Sequence, residues 1–537
     1  MATLVHAHAL ASNTGLFAGF LRLASVVWRA RSVSFVRNLI LWHRWLGFFG
    51  SLLILLWFAS GFVLMYVPFP RLTEVERLNA LPLIDFSQVR LSPSDARENA
   101  RALFVLENQG KPIDANVRPD RLEIIRLVQP GDTPIYALRF ARSGWVGIDA
   151  MQGTRVPVSE AQAKRAVAAW SASSVVSVSS LTVDQWSVYP GLKPHRPLFA
   201  VDLHDGGRHY VSSRTGELVR DTSQFERGWN WVGAVVHWIY VTPIRENGDL
   251  WHWVVVVLSV YAIVVALLGM VLGVIRFRKY ASGRWSPYQG WMRWHHILGL
   301  VGAAFVFSWL VSGLLSMNPG AVFARADVAQ LSDAWRGATL DEVALPSAPP
   351  MSRSAAKEIE WHAFRENLVA ISRFGDSSNR IDAETKNGLT SWTVDRAFVE
   401  PRAATLAAAR GTTVASFEHL GKHDLYYYPR TRARPLPAWR IVLADDSSTW
   451  WHVDGTTGDL VNAMSRSNRV ERWVYNGLHS WDFAPLLKHR PWSWDIPMLI
   501  AMTIGFAFSL TCVVVAGRRL RPLLRGSSSI DRPIFSR

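Results

Sequence analysis

His43-Arg44-Trp45-Leu46-Gly47-Phe48-Phe49-Gly50, followed by Trp57-Phe58-Ala59-Ser60-Gly61, decides how this chain is read, because it returns 252 residues later. The second copy is His295-His296-Ile297-Leu298-Gly299-Leu300-Val301-Gly302, followed by Trp309-Leu310-Val311-Ser312-Gly313. The chain therefore reads as an internal duplication. Each copy puts a histidine at the mouth of an apolar helix, with glycines four and seven residues on, which share the histidine's face. A strip bare of side chains (Gly47 and Gly50, Gly299 and Gly302) would let a large flat group lie against the backbone.

Four stretches are long and apolar enough to cross a bilayer: Trp45 to Val67, Trp253 to Ile275, Ile297 to Met317 and Ile496 to Gly517. No charged residue falls inside any of them. The 26 tryptophans in 537 residues suit a protein with membrane interfaces. Residues 1–44, the loop 276–296 and the tail 518–537 together carry +15 of the total +16. Basic residues of short loops stay on the cytoplasmic side, so both termini and the middle loop are predicted inside, and the long segments 68–250 and 318–495 outside. The same placement removes the nucleic-acid reading that a pI near 10.3 suggests, since the excess charge flanks membrane helices and suits anionic lipid.

The N-terminus lacks a signal peptide's short apolar core and cleavage site, so the first span is expected to be retained. Residues 15–37, with Phe17, Phe20, Leu21 and Trp28 among Arg22, Arg29 and Arg31, read either as an amphipathic helix on the inner surface or as a mobile leader. Cys512, the only cysteine, lies in the fourth span, so the outer segments hold no disulfide.

The outer segments also repeat. Tyr210 to Val219 and His452 to Val461 each read as strand, Thr-Gly turn and strand, with glycine supplying the positive φ. Asp184 to Val201 loosely parallels Asp424 to Ile441. Ser159 to Trp170 and Ala355 to Phe364 read as helices, giving small α+β modules, and 340–354 reads as a linker.

The motif Trp42-His43-Arg44-Trp45-Leu46-Gly47, the Thr-Gly hairpins, the histidine segment before the second span and the four-span layout resemble the PepSY-associated transmembrane proteins. Within that group the chain is similar to inner-membrane reductases of ferric siderophores. The resemblance covers most of residues 38–520. It implies a membrane α-helical bundle of four transmembrane helices with two periplasmic α+β PepSY-like modules, and bis-histidine b-type haems, two in number, in the bundle. It also implies a bacterial inner-membrane location. The chain departs from simpler members in its large second outer segment, and no flavin or nicotinamide domain is appended.

Two further histidines stand before the second and fourth spans, His237 and His479, each five residues after a tryptophan (Trp231, Trp473) and six before a proline (Pro243, Pro485). Ionisable groups at membrane depth default to function, although a single histidine among interfacial tryptophans is ordinarily a belt residue. By depth, the pairing expected is an inner haem on His43 and His295 and an outer haem on His237 and His479. Two neutral imidazoles leave iron no open position, which suits electron transfer. His296 and His252 are alternative ligands, otherwise a solvated neighbour and an interfacial anchor.

Ser60 and Ser312 read as helix-packing residues rather than nucleophiles. Glu418, His419, His423 and Asp424, like Asp202, His204, Asp205 and His209, lack a recognised metal spacing. No phosphate-binding glycine loop is present.

The predicted order is a leader (1–37), the first span (38–67), a PepSY-like region (68–228), a histidine segment with the second span (229–275), an inner loop (276–294), the third span (295–317), a second PepSY-like region (318–470), a histidine segment with the fourth span (471–517) and a tail (518–537). The function expected is transfer of electrons from a cytoplasmic or quinol donor to a periplasmic ferric chelate, a siderophore. The alternatives are a non-enzymatic envelope-binding or regulatory protein and, third, a permease.

Overall fold

A computed structural model describes residues 5–107, 121–141, 144–350, 355–365, 367–374, 379–385, 388–430 and 433–524. Residues 351–354 of the expected linker and 525–537 of the expected tail lie outside them, as do the side chains of residues 5–33, on which most of the leader reading rests. The chain divides into two compact units: Met1–Phe62 with His252–Pro319 and Tyr475–Arg537, and Val63–Trp251 with Gly320–Val474.

The first unit is helical. Its spanning helices are Ser34–Leu64 (the end of a helix that starts at Val5), Gly248–Arg276, Gly290–Ser316 and Asp495–Leu520. The shortest, 26 residues, is about 39 Å long, more than the roughly 30 Å of a bilayer's hydrocarbon core. Leu52, Leu56, Val257, Val264, Val274, Val301 and Ile500 stay exposed, as lipid-facing residues do. The interior is Ile54, Phe58, Ala262 and Val306, ringed by Trp57, Phe305, Trp309, Leu310, Phe506 and Phe508. Small residues set the approach of the helices: Gly505 lies directly under the Phe58 ring, and the Tyr261 hydroxyl donates to the Leu46 carbonyl.

Among the described residues, the second unit holds fifteen strands. The segment between the first two spanning helices supplies β1 (Leu122–Val128), β2 (Ile135–Phe140), β3 (Gly144–Asp149), β4 (Val175–Leu181), β5 (Leu198–Leu203), β6 (Arg208–Ser212) and β7 (Leu218–Thr222). The segment between the last two supplies β8 (Ala356–Phe364), β9 (Asn367–Phe374), β10 (Asn379–Thr385), β11 (Gly388–Ser391), β12 (Val414–Leu420), β13 (Ala438–Leu443), β14 (Trp450–Asp454) and β15 (Leu460–Met464). Two antiparallel four-stranded sheets, β4-β5-β6-β7 and β12-β13-β14-β15, share an element order. Each follows a helix, Glu160–Trp170 or Arg396–Ala409, and precedes a helix opened by a serine capping box, at Ser223 or Ser465. The turns between the last two strands of each sheet place Gly216 at φ 72° and Gly458 at φ 85°. Thr-Gly occurs there because a side chain is disfavoured at positive φ.

The third sheet joins the two sheet-bearing segments, in the order β11-β10-β9-β8-β1-β2-β3. Its centre is the antiparallel pair of β1 with β8, Ile125 opposite Trp361 and Leu127 opposite Ile359. Here the expectation of a helix over Ala355 to Phe364 is corrected. Ile359, Trp361 and Ala363 point into one core with Ile125, Leu127 and Tyr136, while Glu358, Glu360 and His362 occupy the alternate positions. Pairing with β1 and β9 satisfies the strand on both edges and overrides the helix propensity of Ala, Lys and Glu.

The polar face of β8 carries a buried charge network. Glu358, fully buried, meets Arg77 at 2.7 Å and also pairs with Arg373. Arg373 meets Glu360 at 2.6 Å, and His362 lies between Glu360 (2.9 Å) and Asp459 (2.7 Å). Arg336 completes that end on Asp459 at 2.7 Å, and Arg126 holds Glu217 at 2.8 Å at the other. Glu217 and Asp459 each follow the Gly of a Thr-Gly turn, so both small sheets plug a turn carboxylate into the seven-stranded sheet. Burial favours neutral His362, but the two carboxylates prevail and raise it to about 9.

Candidate histidine centre of the helical unit

His43 sits near the start of the first spanning helix and His295 near the start of the third, and their ring centroids are 6.2 Å apart. The His43 Nδ1 lies 3.1 Å from the Val265 carbonyl oxygen of the second helix. A carbonyl only accepts, so this nitrogen carries the proton and the lone pair is left on Nε2. One turn further along the second helix, a Cβ on Gly269 would stand 2.7 Å from the His43 Cε1. The glycine is what lets the imidazole lie against that backbone. His295 stacks on Phe508 of the fourth helix (5.3 Å, 23°), with Nδ1 3.4 Å from both Thr511 Oγ1 and Cys512 Sγ.

At the other end of the third helix, His479 Nδ1 lies 3.1 Å from the Ser312 hydroxyl, which also donates to the Trp309 carbonyl at 3.2 Å. The hydroxyl proton is thus engaged, and His479 donates from Nδ1. Gly313 faces this ring, a Cβ there standing 3.4 Å from its Cε1. Each of the two histidines therefore has a protein acceptor on Nδ1 and a glycine under the ring. Seventeen residues separate His295 from Ser312 on one helix, about 25 Å along its axis.

The remaining expected ligands lie as follows. His237 ends a short helix, Ala234–His237, in the sheet-bearing unit, whereas His479 belongs to the helical one. His296 has both ring nitrogens in use, Nδ1 with Ser286 Oγ at 2.9 Å and Nε2 with the Gly273 carbonyl at 3.0 Å, so it fastens the loop between the second and third spans. His252 stands edge-on to Trp253.

The glycines of the repeated motif lie beside side chains of the bundle. A Cβ on Gly47 would touch Val265, on Gly50 Tyr261, on Gly299 Phe508 and on Gly302 Phe305, so these positions seat side chains. Ser60 and Ser312 donate to carbonyls three residues back, as packing residues do. Among the described residues, no group of three or more His, Cys, Asp or Glu is placed to hold a metal. Asp202 is taken by Arg208, and Glu418 and Asp424 by Arg440.

Gly269 is the residue that the duplicated motif did not reveal. Its signal is Gly269-Met270-Val271-Leu272-Gly273, a small-xxx-small pattern within the second span. Its two glycines serve His43 and His296 in turn. Gly269→Leu is expected to overpack against the imidazole at a cost of about 1–3 kcal/mol. Thermal unfolding in detergent, with Gly517→Leu as a control in open space, measures this.

Comparison with curated proteins finds no match. A family model described as the PepSY-associated TM region matches residues 40–519, which takes in the four spanning helices, both sheet-bearing segments and all the histidines above. The chain belongs to the PepSY-associated TM family.

Proposed function

We propose that this membrane protein is a haem-carrying electron conduit that reduces a periplasmic ferric chelate. The observation that carries the reading is the His43–His295 pair, 6.2 Å between centroids, with the His43 tautomer fixed by a backbone carbonyl. Two imidazoles this close, brought together by different helices, would both be able to donate to one metal ion. The pair supplies two donors, as many as a metal bound in a macrocycle requires. A b-type haem held by this pair would supply a one-electron couple.

The chain's own residues do the rest. Val265 and Gly269 orient His43; Phe508 fixes the plane of His295. Ser312 and Gly313 orient His479 about 25 Å further along the third helix, a separation comparable to the hydrocarbon core and suited to a second haem near the other membrane face. His237 is proposed as a further haem ligand. The two sheet-bearing segments are read as periplasmic, and the repeated motifs as a duplication of one span-module-span unit. The chelate would accept one electron, Fe(III) becoming Fe(II), from a cytoplasmic or quinol donor.

Orientation has its own test. A reporter fused after Arg525 is expected to be active on the cytoplasmic side and one inserted near Pro346 on the periplasmic side; the reverse pattern would invert every assignment of sides. For the reaction, chemically reduced protein is expected to be re-oxidised by added ferric siderophore. His479→Ala should abolish that step while the inner haem stays reducible. A reduced spectrum that ferric chelates leave unchanged would contradict the iron assignment.

A further inference from the structure

We infer that the sheet-bearing unit contains a carboxylate-binding subsite centred on Arg220, with Arg196 and Arg245 as its flanking cations. Arg220, on β7, is 5% exposed, yet among the described residues it forms no ion pair. Its Nη1 donates to the Trp186 carbonyl, and its buried Nε has no acceptor. The guanidinium otherwise faces rings, those of Phe69 at 5.5 Å and Tyr189 at 5.7 Å. Burial pulls it below the usual arginine range. Arg196 donates to the next carbonyl, that of Ser187, at 2.8 Å, and its Nε is likewise buried without an acceptor. Arg245 lies over Tyr240 (4.9 Å) and Trp251 (4.5 Å), also with a buried, unaccepted Nε.

Arg220 and Arg245 border one aromatic cluster, and Arg196 joins it through the Ser187 carbonyl, next in the chain to Trp186. Phe69 packs on Trp186, Trp238 and Tyr240, and Tyr240 on Trp251. The nearby carboxylates do not close the site. Asp184 is occupied by the Tyr210 and Ser187 hydroxyls and by the Trp186 and Ser187 amides, and Glu246 acts on Arg196 beyond ion-pair range. A buried charge without a partner is strongly destabilising, and a planar guanidinium with spare N–H groups is made for a carboxylate. Tyr189, 46% exposed, marks the approach from solvent.

A carboxylate could reach this subsite from two sources. One is a propionate of a haem on His237, which directly precedes Trp238 of the cluster; the other is a carboxylate of an incoming ferric chelate. Only the first rests on the haem reading. The test uses the full-length protein in detergent at low salt, wild type and Arg220→Gln, with ferric citrate and iron-free citrate as probes. Binding is followed by calorimetry, and haem content by absorbance.

If the chelate is the ligand, wild type binds ferric citrate and the variant binds it about tenfold or more weakly, with haem content unchanged. If a propionate is the ligand, citrate affinity is unaltered and the variant loses haem or shifts its midpoint potential. Weaker citrate binding by the variant in a protein that proves to contain no haem would refute the proposed function and leave the subsite standing. Should Arg220→Gln not fold, Arg245→Gln reads the same quantities. Unchanged citrate affinity together with unchanged haem content and potential in the variant overturns the inference.

Discussion

Replacing either His43 or His295 with alanine is expected to remove one and the same haem, leaving the other with its spectrum intact. The two ring centroids lie 6.2 Å apart on different helices, so each variant would leave a single imidazole to hold the proposed haem. Haem content of the purified variants measures this directly. His296→Ala is the matched control: both its ring nitrogens are engaged by Ser286 and Gly273, and its loss should loosen the loop and spare the haem. Retention of full haem content in both His43→Ala and His295→Ala would reject the pairing.

The second large effect lies in the sheet-bearing unit. Asp459→Ala removes the carboxylate shared by His362 and Arg336 and leaves both cations buried. Breaking a buried pair in this way costs about 3–5 kcal/mol. The pH dependence has a definite sign. His362 is raised in the fold from 6.5 to about 9, so its contribution is complete below pH 6.5 and is lost as the pH rises through about 9. Melting temperatures measured between pH 6 and 10 should fall across that window in the wild type and change less in Asp459→Asn. A wild-type melting temperature that does not move between pH 6.5 and 9 would contradict the network.

Much of this was legible in the sequence, and for physical reasons. An apolar run of about 20 residues has few fates besides a spanning helix, and all four spans are present. The Thr-Gly turns were readable because positive φ restricts the residue type to glycine. The histidines of the repeated motif were readable as candidates, whereas the glycines under the His43 and His479 rings, Gly269 and Gly313, lie outside that motif's glycine strip and show only in the fold.

The central sheet was hidden for a different reason. Glu358-Ile359-Glu360-Trp361-His362-Ala363 alternates strictly, but its polar residues are buried too, because Arg77, Arg373 and Asp459 arrive from distant parts of the chain to meet them. A strand whose polar face is buried against ions looks amphipathic from its sequence alone, and the β1–β8 pairing joins segments more than 200 residues apart. Arg220 was missed likewise, since a cation's lack of a partner is a property of the fold.

The most direct measurement is the haem content of the purified, full-length protein, by reduced-minus-oxidised spectroscopy and chemical extraction. The proposed function requires two b-type haems per chain, one of them lost with either His43→Ala or His295→Ala. A colourless, folded protein would contradict it.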